Sequence, residues 1–115
     1  MSTYISFYLR NNRIHIFIDA LRGLDSPKFV SFLIDENGNN LVLIPYNKKD
    51  FYSHRVPLSV YQGKKGLELT SIRLCKTLAK KFSWDINKSY RVPGMIHGHQ
   101  KIVIFNLQKA KPIKD

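Results

Sequence analysis

Arg73, Lys76 and Lys80 follow one another at i, i+3 and i+7, with Lys81 beside them, in a stretch from Ser71 to Phe82 that contains no Asp or Glu. On a helix these spacings fall along one line of the surface, and like charges so placed repel one another. A solvated helix face normally dilutes such repulsion with Glu four residues away, so an undiluted row of cations points to a surface for a polyanion. The chemistry implied is neutralisation of phosphate, by lysine as a point charge and by arginine as a planar fork. Gly63-Lys64-Lys65-Gly66 is a second basic element, a turn able to touch phosphate. It lacks the hydroxyl residue and the helix of a phosphate-cradling loop.

Other reactive types do not assemble. His97-Gly98-His99 puts two imidazoles in one turn, but structural zinc needs four ligands, and the single Cys75 falls within the apolar stripe of the same predicted helix. His15 and His54 stand apart from any nucleophile and carboxylate that would complete a hydrolytic triad. The expectation is no catalytic site, no metal and no cofactor. Tyr4, Tyr8, Tyr46, Phe51, Tyr52 and Tyr61 are candidates for stacking on unpaired bases, although sequence does not decide which of them reach solvent.

The charge supports the polyanion reading. Nineteen Lys and Arg against eight Asp and Glu give +11, and the excess is uneven. Residues 1–57 carry seven basic and five acidic side chains, whereas residues 58–115 carry twelve and three. An acidic partner would meet the second half, drawn by long-range attraction. With 43% hydrophobic residues the chain has ordinary globular composition and is expected to fold as one domain, 1–115. No stretch approaches the roughly 20 apolar residues of a membrane span, no secretory layout opens the chain, and a lone cysteine fits a reducing compartment. No membrane contact and a cytoplasmic location are expected.

The elements that must position the cations can be read from periodicity. Tyr4–Leu9 and Arg13–Ile18 alternate as two strands around Asn11-Asn12, with Ile14, Ile16 and Ile18 on one face. One or two helical turns follow in Asp19–Leu24, stopped by Pro27. Phe29–Ile34 and Leu41–Ile44 form a hairpin around Asn37-Gly38. After a connection at 45–57, Leu58–Tyr61 and Leu67–Thr70 are short strand candidates. Ser71–Phe82 is the clearest helix, with Leu74, Cys75, Leu78, Ala79 and Phe82 as one buried stripe and Thr70 or Ser71 as the N-cap. Tyr90–Val92 then forms a strand, residues 94–100 a loop and Ile102–Leu107 the last strand. Residues 108–115 are expected to be a flexible basic tail.

The two halves, 4–46 and 58–107, share this order. Laying Phe29 on Tyr90 places Leu41 on Ile102, Leu43 on Ile104 and Ile44 on Phe105 without a gap, so each half reads as a β-α-β-β unit. The fold class expected is α+β, mainly β. Arg13-Ile14-His15-Ile16 through Leu21 and Leu24, then Phe29–Ile34 and Leu41–Pro45, resembles the swapped-hairpin unit of the SpoVT/AbrB family of bacterial regulators. Ile72 through Leu78, Trp84-Asp85, Tyr90–Gly94 and Ile102–Phe105 resemble it a second time, which is the tandem, MraZ-like arrangement. The resemblance implies a DNA-binding transcriptional regulator, with Arg13 facing DNA. It also implies a homodimer completed by exchange between subunits, unless the two units of one chain complete each other. The second unit has Glu68-Leu69-Thr70 where an arginine would match, and neither unit has the family's proline at the strand-to-helix junction.

The candidate nucleic-acid contacts are therefore Arg13, Lys64, Lys65, Arg73, Lys76, Lys80 and Lys81, with DNA placed ahead of RNA as the partner. The alternative is a small phage- or plasmid-type inhibitor, anti-CRISPR-like, that uses the same basic half against a protein or nucleoprotein.

Overall fold

Alternation along the strands decides which side chains share an interior. Ile5 and Phe7, Ile14 and Ile16, Leu41 and Leu43, and Val103 and Phe105 occupy every second position of four strands and are all fully buried. In the computed structural model, which describes residues 1–114, they line one core. The elements in chain order are β1 (Ser2–Tyr8), β2 (Arg13–Phe17), α1 (Ile18–Gly23), β3 (Phe29–Ile34), β4 (Asn40–Tyr46), β5 (His54–Arg55), α2 (Leu58–Tyr61), β6 (Gly66–Thr70), α3 (Ile72–Phe82), β7 (Ser89–His97), β8 (Ile102–Asn106) and β9 (Lys111–Ile113). The class is α+β and mainly β.

All ladders are antiparallel, in the order β5-β3-β4-β8-β7-β1-β2-β6, with β9 added to β7. Residues just beyond β6 and residues around β5 line a common groove, so the sheet curls until its two ends approach. Exchanging β1, β2, β3 and β4 with β5, β6, β7 and β8 carries six of the seven ladders in this order onto one another; the β1–β2 ladder has no counterpart, because β5 and β6 do not pair among the described residues. The β1–β7 ladder takes the place of β5–β3, while β2–β6 and β4–β8 each pair a strand with its own counterpart. The second hairpin is registered differently from the gapless alignment: Met95 pairs with Ile104, not Ile102. A slip of two residues keeps every side chain on its face, so the core is unaffected.

α3 begins where Ser71 Oγ accepts a hydrogen bond from Leu74 N at 3.3 Å. It ends at Ser83, whose φ of 54° is left-handed, with Trp84 N donating to Ala79 O at 2.9 Å. Trp84 stacks on Tyr90 with ring centroids 4.9 Å apart and packs against Phe7 and Phe82. Because β2 and β6 run in opposite directions and each feeds a helix, α1 and α3 sit at opposite ends of their shared ladder.

Three expectations fail, each for a physical reason. Leu58–Tyr61 is a helical turn rather than a strand: Pro57, with φ near −59°, starts it and its carbonyl accepts from Val60 N. Residues 94–97 continue β7, because Gly94 admits the Phe105 ring against the backbone, and the loop shrinks to a turn closed by Gln100 N and Lys101 N. The tail is not free through residue 113. Asn106 Oδ1 accepts from Gln108 N to start a tight turn, after which Lys111–Ile113 pair with Ser89–Arg91. Pro112 is tolerated there because the strand is short and peripheral.

Three outcomes follow from this packing. Leu78→Ala removes a buried side chain at the centre of the α3 stripe and is expected to cost about 2–5 kcal/mol in denaturant unfolding. Gly66 has φ +133°, and a Cβ there would meet Ile16 O at 2.0 Å, so Gly66→Ala should destabilise by more than the ~1–3 kcal/mol of backbone strain alone. Gly63→Ala, with only ordinary contacts, is the control and should stay within about 1 kcal/mol. Burial against Phe32 holds the His54 pKa below its usual 6.5, so the unfolded chain takes up the proton first. Stability is therefore full above about 6.5 and is lost as pH falls through the folded-state value. The melting temperature of His54→Phe should fall less between pH ~7.5 and ~5.5 than that of the wild type; equal slopes would refute the assignment.

Candidate nucleic-acid interface

The α3 stripe faces the core through Cys75, Leu78 and Ala79, which leaves Arg73, Lys76, Lys80 and Lys81 exposed. Lys81 is the exception in function: it donates to Asn37 O at 3.0 Å, and its ammonium lies 5.8 Å from the Phe82 ring centroid. It ties the helix to the β3–β4 turn. Arg73, Lys76 and Lys80 have no carboxylate within 4.0 Å among the described residues.

The reason lies in what the carboxylates do. Asp35 accepts from Asn39 N and Asn40 N at 3.0 and 3.1 Å and from the Asn40 amide, which holds its carboxyl below the usual range. Asp50 accepts from Tyr52 N at 2.8 Å and from the Tyr46 hydroxyl at 2.9 Å, and its pKa is likewise lowered. Asp85 accepts from Asn87 N, and Asp19 from the Thr3 hydroxyl. Of the nineteen lysines and arginines, only Arg13, with Glu68 at 3.6 Å, and Lys101, with Asp25, form ion pairs among the described residues.

The seven expected contacts divide into two groups. Arg13 is the ladder partner of Thr70, next to the start of α3, so it stands at the same end of the β2–β6 ladder as the helix cations. Lys64 and Lys65 precede β6 and lie at the other end, about 15 Å away along a five-residue strand. There the Lys65 carbonyl accepts from Ile18 N, while Arg22 donates to the carbonyls of Tyr61 and Gly63. They form a separate basic corner.

Sequence reasoning missed one neighbour of α3, Arg10, and left the place of another, the pair Phe51 and Tyr52, undecided. Arg10 shares a surface pocket of about 280 Å³ with Lys76 and Asn87, brought there by the tight turn at Leu9–Asn11. Phe51 and Tyr52, 96% and 71% exposed, border the groove that also holds Arg73, Thr77 and His54, about 410 Å³ in volume. Ser31 Oγ donates to Tyr52 O at 2.8 Å and pins that segment to β3. The aromatic pair was visible in sequence as candidate stacking residues; its place beside Arg73 depends on the curl of the sheet.

Among the described residues no group of three His, Cys, Asp or Glu could hold a metal, and Cys75 is buried, its thiol pushed up to about 11. No helix is long and apolar enough to cross a membrane. Compared with protein-family models, with curated proteins and with solved structures, the chain matches none of them.

Proposed function

We propose that the chain is a nucleic-acid-binding domain, with the action of a DNA-binding regulator, that holds phosphates on the exposed cations of α3. The observation that carries this reading is that Arg73, Lys76 and Lys80 project from a helix anchored by a buried stripe and have no carboxylate partner among the described residues. A flexible charged tail would lose conformational entropy on binding; cations on an anchored helix lose less. Arg73 to Lys80 spans about 10 Å at 1.5 Å per residue, enough for several phosphates of a duplex that carries one charge per ~1.7 Å of axis. Arg10 and Arg13 widen the same footprint toward β2. The role is that of a binder, without a catalytic step.

A second reading, a protein or nucleoprotein inhibitor, draws on one feature. Leu33, Val42, Ile104 and Met95 are consecutive ladder partners on the outward side of β3, β4, β8 and β7, and Leu33 and Met95 remain about half exposed. Such an apolar row favours contact with protein.

A salt titration of a labelled duplex and a labelled single strand tests the first reading. Arg73→Gln, Lys76→Gln and Lys80→Gln combined should lower duplex affinity at every sequence and reduce the slope of log affinity on log salt by roughly 0.9 for each phosphate contact removed, two to three in all. Lys101→Gln, which removes a cation already paired with Asp25, should leave the slope nearly unchanged. Wild-type protein that binds neither ligand at low salt overturns the reading and favours the inhibitor.

A further inference from the structure

A second surface, outside the α3 footprint, arises because β7 is long enough to hold two partners along one edge. Its last residues pair with β8 and its first with β9. The β9 register sets Lys111 opposite Arg91, and Arg91 is in turn opposite Ser6 of β1. These positions alternate with inward Ile5 and Val92, so they lie on the opposite face of the sheet, where Arg91 and Lys111 are exposed and Ser6 is covered. Two residues along β1, Tyr4 is opposite Pro93, and its ring centroid lies 6.4 Å from that of Phe17.

The Arg91 guanidinium lies 5.3 Å from the Phe17 ring centroid and 6.0 Å from that of Tyr4, and its Nε donates to Ser6 Oγ at 3.4 Å. An arginine so braced presents its remaining donors in a set direction. The chain then turns through Leu107–Lys109, held by the Asn106 side chain, and borders an open surface cavity of about 530 Å³ over the sheet. The Tyr4 ring, 45% exposed, borders it, with Pro93 and Pro112 as apolar walls. Arg91, Lys109 and Lys111 supply three cations, Gln108 adds a side chain that both donates and accepts, and among the described residues no carboxylate lines the space.

We infer that this cavity takes an unpaired nucleotide of a single strand, its base against Tyr4 and its phosphate on Arg91, Lys109 and Lys111. The volume is within the range of small-ligand sites. An aromatic ring beside converging cations suits a base with its own phosphate, and a base stacked inside a duplex cannot reach such a ring. Gln108 can meet the base edge with an amide, which both donates and accepts. The site lies at the Ile5–Ile16 end of the β1–β2 ladder, and Arg13 and α3 lie at the other. The inference rests on the nucleic-acid reading for the kind of ligand, but not on its surface.

The test is fluorescence anisotropy at low salt with labelled oligothymidylate of about eight residues, alongside a labelled duplex. Tyr4→Ala is expected to weaken oligothymidylate binding roughly 5- to 100-fold, the loss of one stacked base, and to leave duplex affinity unchanged. Lys109→Gln with Lys111→Gln should weaken it too. The triple α3 variant should affect the duplex and spare most of the single-strand affinity. Because Tyr4 and both lysines are exposed, unchanged melting temperatures are expected, and Tyr4→Phe, which keeps the ring, should bind like the wild type. Thymidine monophosphate should displace the strand better than inorganic phosphate does; equal displacement would reduce the site to an anion site and overturn the proposal. It is also overturned if Tyr4→Ala binds oligothymidylate like the wild type, or if the wild type binds duplex only, an outcome that leaves the α3 reading standing. Failure of both ligands to bind removes both.

Discussion

The antiparallel ladder between Arg13–Phe17 and Gly66–Thr70 is the contact on which the other arrangements depend. It joins the first half of the chain to the second and sends a helix off each end in opposite directions. Its register is forced by burial: Ile14 and Ile16 face Leu69 and Leu67, and a slip by one residue would turn all four toward water. Gly66 allows the close approach at one end, where its backbone lies against Ile16 O. At the other end the chain leaves Thr70 directly into the Ser71 cap of α3, so the ladder fixes where the helix cations begin and why Arg13 stands beside them.

The electrostatics follow from how few carboxylates there are and where they act. Asp35, Asp50 and Asp85 satisfy backbone N–H groups in turns that would otherwise leave donors unpaired, and this organises the loops between strands. Acidic groups committed to their own turns cannot screen the lysines of α3. The folded chain thus concentrates positive charge that repels itself, and a bound polyanion would relieve that repulsion. Charge at this density acts over about 8–10 Å at physiological salt, so the two basic surfaces, at opposite ends of a short ladder, are largely independent.

The aromatic residues divide by packing. Trp84, Tyr90 and Phe7 form a buried stack that closes the core beside α3, and Tyr90 also accepts from Asp85 N to fix the turn after the helix. Tyr4 and Phe17 stand on the outward side of the same sheet, and the pair Phe51 and Tyr52 sits at the rim of the groove beside Arg73. Strand parity separates Phe7 from Tyr4; only the curl of the sheet brings Tyr52 to the helix.

The sequence by itself determined the elements whose signal is local: the α3 stripe with its serine cap, the alternation of the strands, the Asn37-Gly38 turn and the row of helix cations. Periodicity and capping act within one or two turns of chain, so they can be read without knowing the neighbours. Tertiary structure decided the rest. Residues 108–113 look like a tail until β7 offers them an edge, whereas the helical turn at Leu58–Tyr61 follows from the neighbouring Pro57. Arg10 reaches Lys76, and Lys111 reaches Arg91, across 66 and 20 residues of sequence. Those meetings are set by register and sheet order, which arise from burying all the strands around one core and leave no pattern in any single segment.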